Sequence, residues 1–246
     1  MNEKLLKKEY LKKISQLQKY NLAYYDKSNP IVADSDYDKL KREIIDFEKK
    51  YDFLKSTSSP SSTVGFKPSK NFKKIKHKVP MLSLSNAFDE EDLINFEKRI
   101  INYLDKKKDY KIEYSAEPKI DGISASLTYK NGIFVTGLSR GDGKEGEDIT
   151  ENLKTIKDIP NKVVEKNFPE EIDIRGEVFI RNSDFKKLSD KFANPRNAAS
   201  GSLRQKNSDE TQKIPLRFIA YTFGFQKNMQ VKSQTEFLKN LDKWGF

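Results

Sequence analysis

The chain has 246 residues, room for one or two domains with a buried core. Hydrophobic residues make up 35% and charged residues 34%; no apolar run approaches the ~20 residues of a membrane helix, and the N-terminus MNEKLLKKEYLKK has no apolar stretch followed by a cleavage site, so neither a membrane span nor a signal peptide is expected. With no cysteine and one histidine, His77, disulfides and zinc chemistry are excluded, and the cytoplasm is the expected compartment. The net charge of +10 suits a polyanionic partner such as nucleic acid, or equally a lysine-rich composition with scattered charge.

Residues 3–25 predict an amphipathic helix, with Leu6, Tyr10, Ile14 and Leu17 at helical spacing among lysines. A break follows over Asp26–Pro30. A second helix starts near Asp34, where Ser35 and Asp38 have capping-box spacing and Tyr37, Leu40, Ile44, Phe47 and Tyr51 fall on one face. The Ser/Pro-rich stretch at 55–65 reads as a connection and sets the domain boundary: a helical domain at 1–65 and a second domain at 66–246. The second opens with a helix near 89–105. Ile123, Ala125, Leu127 and Tyr129 alternate with polar residues as in a half-buried strand; Asn131-Gly132 is a hairpin turn, and Ile133–Leu138 returns. Residues 171–180 and about 216–223 alternate again. Short helices are expected near 146–155, 182–190 and 233–243. Hairpins mixed with helices predict an α+β fold with antiparallel sheets flanked by helices.

The chemistry centres on Glu117-Pro118-Lys119-Ile120-Asp121-Gly122. If extended, the stretch projects Glu117, Lys119 and Asp121 to one face. That is a surface salt bridge, or a lysine nucleophile whose amine must be deprotonated against the pull of two carboxylates. Arg175 and Glu177 share one face of the 171–180 strand, opposite Ile172, Ile174 and Val178. Arg140 ends a strand at a glycine loop, and Arg196 and Arg204 lie among small residues in Phe192–Arg204. Each suits a turn or salt bridge; together they suit a phosphate-handling pocket. Gly141-Asp142-Gly143-Lys144-Glu145-Gly146 matches G-x-G-x-x-G, but it follows a hairpin strand rather than a parallel βαβ unit. Asp142, Glu145 and Glu147 would also repel phosphate, so a Rossmann site is rejected.

Taken together these segments resemble the bacterial NAD⁺-dependent DNA ligases. The likeness rests on Lys119-Ile120-Asp121-Gly122 with Glu117 before it, RGDG at 140–143, GEDIT at 146–150, RGEVF at 175–179 and FANPRNAASGSLRQ at 192–205. His77–Phe88 (HKVPMLSLSNAF), Tyr24 and Asp34–Asp38 (DSDYD) add to it, all in family order. The resemblance implies a helical cap for the nicotinamide half of NAD⁺, followed by an adenylation (nucleotidyltransferase) domain. It implies that Lys119 takes AMP from NAD⁺ with magnesium, for sealing nicked double-stranded DNA in replication and repair. By position it assigns Asp121 to orienting the nucleophile, Glu117, Ser83 and Leu84 to adenine, and Glu177 to ribose. Arg140 goes to ribose or phosphate, Arg196 and Arg204 to phosphates of NAD⁺ or DNA, and Tyr221 to stacking on adenine. Tyr24, Tyr25, Asp34, Tyr37 and Asp38 go to the nicotinamide nucleotide; without the resemblance, Asp34 and Asp38 equally suit a helix N-terminus. Tyr25 stands where the family usually has histidine, and the link from Glu177 to Phe192 is shorter than usual. The chain stops at Phe246, before the family's later lysine motifs and C-terminal domains. Alternatives are a non-catalytic NAD⁺- or DNA-binding fragment, and an ATP-using nucleotidyltransferase, which the cap residues disfavour.

Overall fold

The structure is a computed structural model and describes residues 3–23, 31–54, 59, 72–107 and 109–246, with the backbone alone of Asp34. It divides into two compact units, Leu82–Lys119 and a larger one formed by Met1–Met81 with Ile120–Phe246.

Helix α1 (Glu3–Asn21) buries Leu6, Tyr10, Ile14 and Leu17, the four residues its period singles out. Helix α2 (Asp34–Lys50) answers with Leu40 and Ile44, and Tyr37, Phe47 and Tyr51 pack partly buried against the same cluster. Interlocking at i, i+3/i+4 spacing is what buries one stripe of each helix and leaves the lysines in water. The expected capping box is not formed. Ala33 is the N-cap and makes no side-chain cap bond, while its carbonyl accepts the N–H groups of Asp36 and Tyr37 at 3.1 Å each. Ser35 is already inside the first turn, where its helical backbone removes the extended geometry a capping side chain needs. Beneath the seam, Glu48 is buried and accepts the Tyr10 hydroxyl at 2.7 Å and the Ser59 hydroxyl. The break expected at Asp26–Pro30, and the 55–65 connection apart from Ser59, lie outside the described residues.

The main sheet runs, in spatial order, 133–139, 123–130, 171–179 and 217–227, and every pairing is antiparallel. Strands β2 (Ile123–Lys130) and β3 (Ile133–Ser139) form the expected hairpin. Asn131 and Gly132 turn it at φ 49° and 76°, the left-handed region that a type I′ turn demands and that glycine enters without a Cβ penalty. Ala125, Leu127 and Tyr129 on β2, and Ile172, Ile174 and Val178 on β5 (Glu171–Phe179), are fully buried on one face. There they meet Leu153 of α4 (Thr150–Leu153), Ala198, Ala199 and Leu203 of α6 (Pro195–Leu203), and Phe237, Leu241 and Trp244 of α8 (Gln234–Trp244).

Three expectations are corrected here. The helix expected near 146–155 begins only at Thr150, because 145–147 form strand β4, paired antiparallel with β1 (Lys74–Lys76). The helix expected near 182–190 shortens to α5 (Asn182–Phe185). Helices α6 and α7 (Ser208–Gln212) were not expected at all. Asn194 starts α6 by accepting the Asn197 N–H at 2.8 Å, with Pro195 in the first turn, an N-cap signature that went unread. Strand β6 (Arg217–Lys227) completes the sheet. The antiparallel β1/β4 pair also supports the rejection of a Rossmann turn at 141–146.

In the Leu82–Lys119 unit, α3 (Glu90–Tyr103) is capped reciprocally: Asp89 accepts the Asp92 N–H at 2.9 Å, and Asp92 accepts the Phe88 N–H at 3.0 Å. Residues 111–119 follow without regular secondary structure.

Candidate active site

Strand alternation sends Asp173, Arg175 and Glu177 of β5 to the face opposite the apolar core, as parity requires. The register sets Ser124 of β2 directly across from Glu177, and its hydroxyl donates to the Glu177 carboxylate at 2.9 Å. On the next strand Tyr221 is in electrostatic reach of Glu177, Arg140 and Arg175. Burial raises its phenol pKa, Glu177 adds to the rise, and Ser124 and the two arginines oppose it. A carboxylate, an aromatic ring and a cation separated by tens of residues in sequence thus gather at one place.

Arg140 follows β3 and opens the glycine loop. Its carbonyl accepts the Gly143 N–H at 3.0 Å and lies 3.1 Å from His77 Nε2. The acids of this loop serve the protein itself. Asp142 accepts the N–H groups of Lys144 and Glu145 at 2.9 Å each, closing the turn. These donors outweigh the opposing effect of burial and hold its carboxyl below the usual range. Glu147 is fully buried and accepts Arg204 Nε at 3.1 Å.

Residues 77–81 form a strap along the loop and the polar side of the sheet. The N–H groups of His77 and Met81 donate to the carbonyls of Lys144 and Gly143, both at 2.8 Å. Lys78 pairs with Glu171 and sits 4.3 Å over the Phe225 ring. Arg175 donates to the carbonyls of Pro80, at 3.1 Å, and Val79. Burial lowers the His77 pKa below the ordinary histidine value; the Arg140 and Ser139 carbonyls and Asp173 oppose this, and Arg175 adds to it.

Arg196, in the first turn of α6, meets Asp121 at 2.8 Å; Arg204 is the C-cap of the same helix. Both arginines therefore have protein carboxylates in this structure. Glu117 and Lys119 belong to the Leu82–Lys119 unit, where Ser115 donates to Glu117 at 3.0 Å and Lys119 is exposed; Asp121 belongs to the larger unit. Ser83 and Leu84 also lie in the smaller unit, with exposed side chains. In the cap, the Tyr37 hydroxyl donates to Asn21 at 2.7 Å, and Asp38 is half-buried. Tyr24, Tyr25 and the side chain of Asp34 lie outside the described residues.

Sequence reasoning missed Ser124 and Asn21 as supports of these candidates; it named His77 and Arg175 but not the contacts they make. The alternation of β2 marked Ser124 as facing away from the core, and nothing local named its partner.

The all-antiparallel sheet with helices packed on one face, preceded by a helical cap, defines an α+β nucleotidyltransferase-type adenylation domain. The family model for the NAD-dependent DNA ligase adenylation domain matches residues 69–246, and that for the DNA ligase-like, N-terminal NAD⁺-binding domain matches residues 4–65. A DNA ligase of Pelagibacter ubique is 69% identical over 246 residues, covering 100% of this chain and 36% of that protein. Those of Parvibaculum lavamentivorans and Rickettsia bellii are 46% and 44% identical, covering 94% and 100% of this chain and 34% and 36% of theirs. This chain belongs to the NAD-dependent DNA ligase family, and it spans about a third of the length of these relatives.

Proposed function

We propose that the chain carries out the first step of DNA ligation, transfer of AMP from NAD⁺ to Lys119. The neutral Lys119 amine attacks the α-phosphorus of NAD⁺. A P–N bond forms, the bond to the nicotinamide mononucleotide oxygen breaks, and that mononucleotide leaves with the electron pair while the lysine proton passes to solvent. In the complete ligase the AMP then moves to the 5′-phosphate of a DNA nick, and the 3′-hydroxyl displaces it.

The observation that carries the reading is the cluster of Glu177, Tyr221 and Arg140. A carboxylate suits ribose hydroxyls, a phenol ring suits stacking on a base, and a guanidinium suits phosphate. Asp121 orients the nucleophile. Glu117, Ser83 and Leu84 line the adenine end, and Arg196 and Arg204 exchange their carboxylates for phosphates of NAD⁺ or DNA. Tyr24, Tyr25, Asp34, Tyr37 and Asp38 hold the nicotinamide nucleotide in a cap bounded near residue 65.

Magnesium belongs to the same proposal. It would bind with the substrate phosphates, keep several of its waters, and offset phosphate charge. Nicked double-stranded DNA and the remaining ligase domains are the partners, in the cytoplasm, during replication and repair. No described helix is long and apolar enough to cross a membrane.

The test is intact mass after incubation with NAD⁺ and magnesium. One added AMP, absent in Lys119→Ala, supports the reading; a folded wild-type chain that gains nothing overturns it.

A further inference from the structure

We propose that Arg175 is a positioning residue for the nucleotide site, setting the glycine loop that carries Arg140 by gripping the strap His77–Met81. The inference rests on the adenylylation reading.

The Arg175 guanidinium is buried on the polar side of β5, two residues from Glu177. Its two terminal nitrogens donate to successive backbone carbonyls, Val79 and Pro80, across more than ninety residues of sequence. A planar fork suits two adjacent acceptors, which a lysine ammonium cannot match. Among the described residues the buried Nε of Arg175 has no hydrogen-bond partner, so the side chain bears a cost that an apolar residue in the same space would avoid.

The strap it holds is also tied to the sheet, through Lys78 to Glu171 and over the Phe225 ring, and to the glycine loop. His77 N–H reaches the Lys144 carbonyl, Met81 N–H reaches the Gly143 carbonyl, and His77 Nε2 lies on the Arg140 carbonyl. Guanidinium, strap and loop therefore form one chain of contacts ending at Arg140. The strap also continues in sequence directly into Ser83 and Leu84.

Gly224 on β6 is the complement of this grip. A Cβ there would stand 2.6 Å from Arg175 Nη2, 2.7 Å from Nε and 2.8 Å from Cζ. Only a residue without a side chain leaves the fork in place, so Gly224→Ala should displace it without touching Arg175 itself.

The experiment compares wild type, Arg175→Lys, Arg175→Met and Gly224→Ala in two readouts. The first is ligand-free amide exchange at His77 and Met81, against core amides of β2 and β5. The second is the NAD⁺ dependence of AMP uptake followed by intact mass, with magnesium present. The inference expects faster exchange at His77 and Met81 with the sheet amides unchanged. It also expects the NAD⁺ concentration for half-maximal uptake to rise about tenfold, and by more than the limiting rate falls. Arg175→Met tests loss of the whole grip; if it fails to fold, Arg175→Lys and Gly224→Ala carry the test. Unchanged exchange at His77 and Met81 in the folded variants overturns the inference. So does loosened exchange with unchanged NAD⁺ dependence, or a fall in limiting rate alone. A wild type that takes up no AMP overturns the adenylylation reading itself, and the inference with it.

Discussion

The helical cap and the sheet body bury acids in different surroundings. In the cap, the partners of Glu48 include the hydroxyls of Tyr10 and Ser59. In the body, buried Glu147 takes Arg204, and part-buried Asp158 takes both ends of Arg217 at 2.6 and 2.9 Å with the Phe218 N–H at 3.0 Å. These donors outweigh burial and hold the Asp158 carboxyl below its ordinary range. The cores differ as well: the cap rests on one seam between two helices, the body on a sheet face covered by several. A small core leaves little surplus stability, so the same lesion should weigh more heavily in the cap.

The sharpest way to break that comparison is a matched pair of cavities. Ile44→Ala and Ile174→Ala each remove a fully buried side chain and should each cost about 2–5 kcal/mol. The expectation is that Ile44→Ala exposes the amides of α1 and α2 to rapid hydrogen exchange, while Ile174→Ala leaves a folded sheet with a lower urea midpoint. Equal tolerance in both regions would show that the cap does not depend on its own seam.

A smaller effect should follow from Tyr10→Phe. The Tyr10 phenol is pushed up to about 12 by burial and by its bond to Glu48, so it donates throughout the neutral range. Removing it leaves a buried carboxylate one donor short, at a cost of about 1–3 kcal/mol. Exchange in α2 should report the loss, and an unchanged cap would mean that the other contacts of Glu48, Ser59 among them, satisfy it without Tyr10.

For the candidate site, Asn21→Ala removes the acceptor that holds Tyr37. The half-saturating NAD⁺ concentration for AMP uptake should rise by a few-fold, on the order of one neutral hydrogen bond, with little change in limiting rate. A change in limiting rate alone would remove Tyr37 from nicotinamide binding.

The smallest expected effect is a pH dependence in the body. The folded-state pKa of His77 lies below its unfolded value, so at mildly acid pH the unfolded chain binds more protons. Stability from neutral His77 is present above about pH 6.5 and is lost as pH falls below it toward the folded value. Arg175, in electrostatic reach of the ring, strengthens the effect, and Asp173 weakens it. Urea midpoints at pH 7.5 and 5.5 should therefore differ more in wild type than in His77→Gln; identical differences would mean that other groups account for the slope.

Periodicity and turn chemistry were legible without a structure. The buried stripe of α1, the face of α2, the Asn131-Gly132 hairpin and the parity of β5 all follow from spacing along the chain, because each depends on neighbours within a few residues. The same local logic failed where two signals competed. No helix is predicted over Phe192–Arg204, although Asn194-Pro195 signals the start of α6. Ser35 read as a cap although the helix had already begun at Asp34.

The sequence by itself determined the family, the α+β class and the residue types able to handle a nucleotide. Tertiary structure alone decided that Ser124 holds Glu177, that Arg204 meets Glu147, and that Arg175 grips Val79 and Pro80. Those contacts join residues roughly fifty to a hundred positions apart; strand register sets the first, while the end of α6 and the strap bring in the other two. Register depends on which apolar face the whole sheet buries, not on the residues beside each partner.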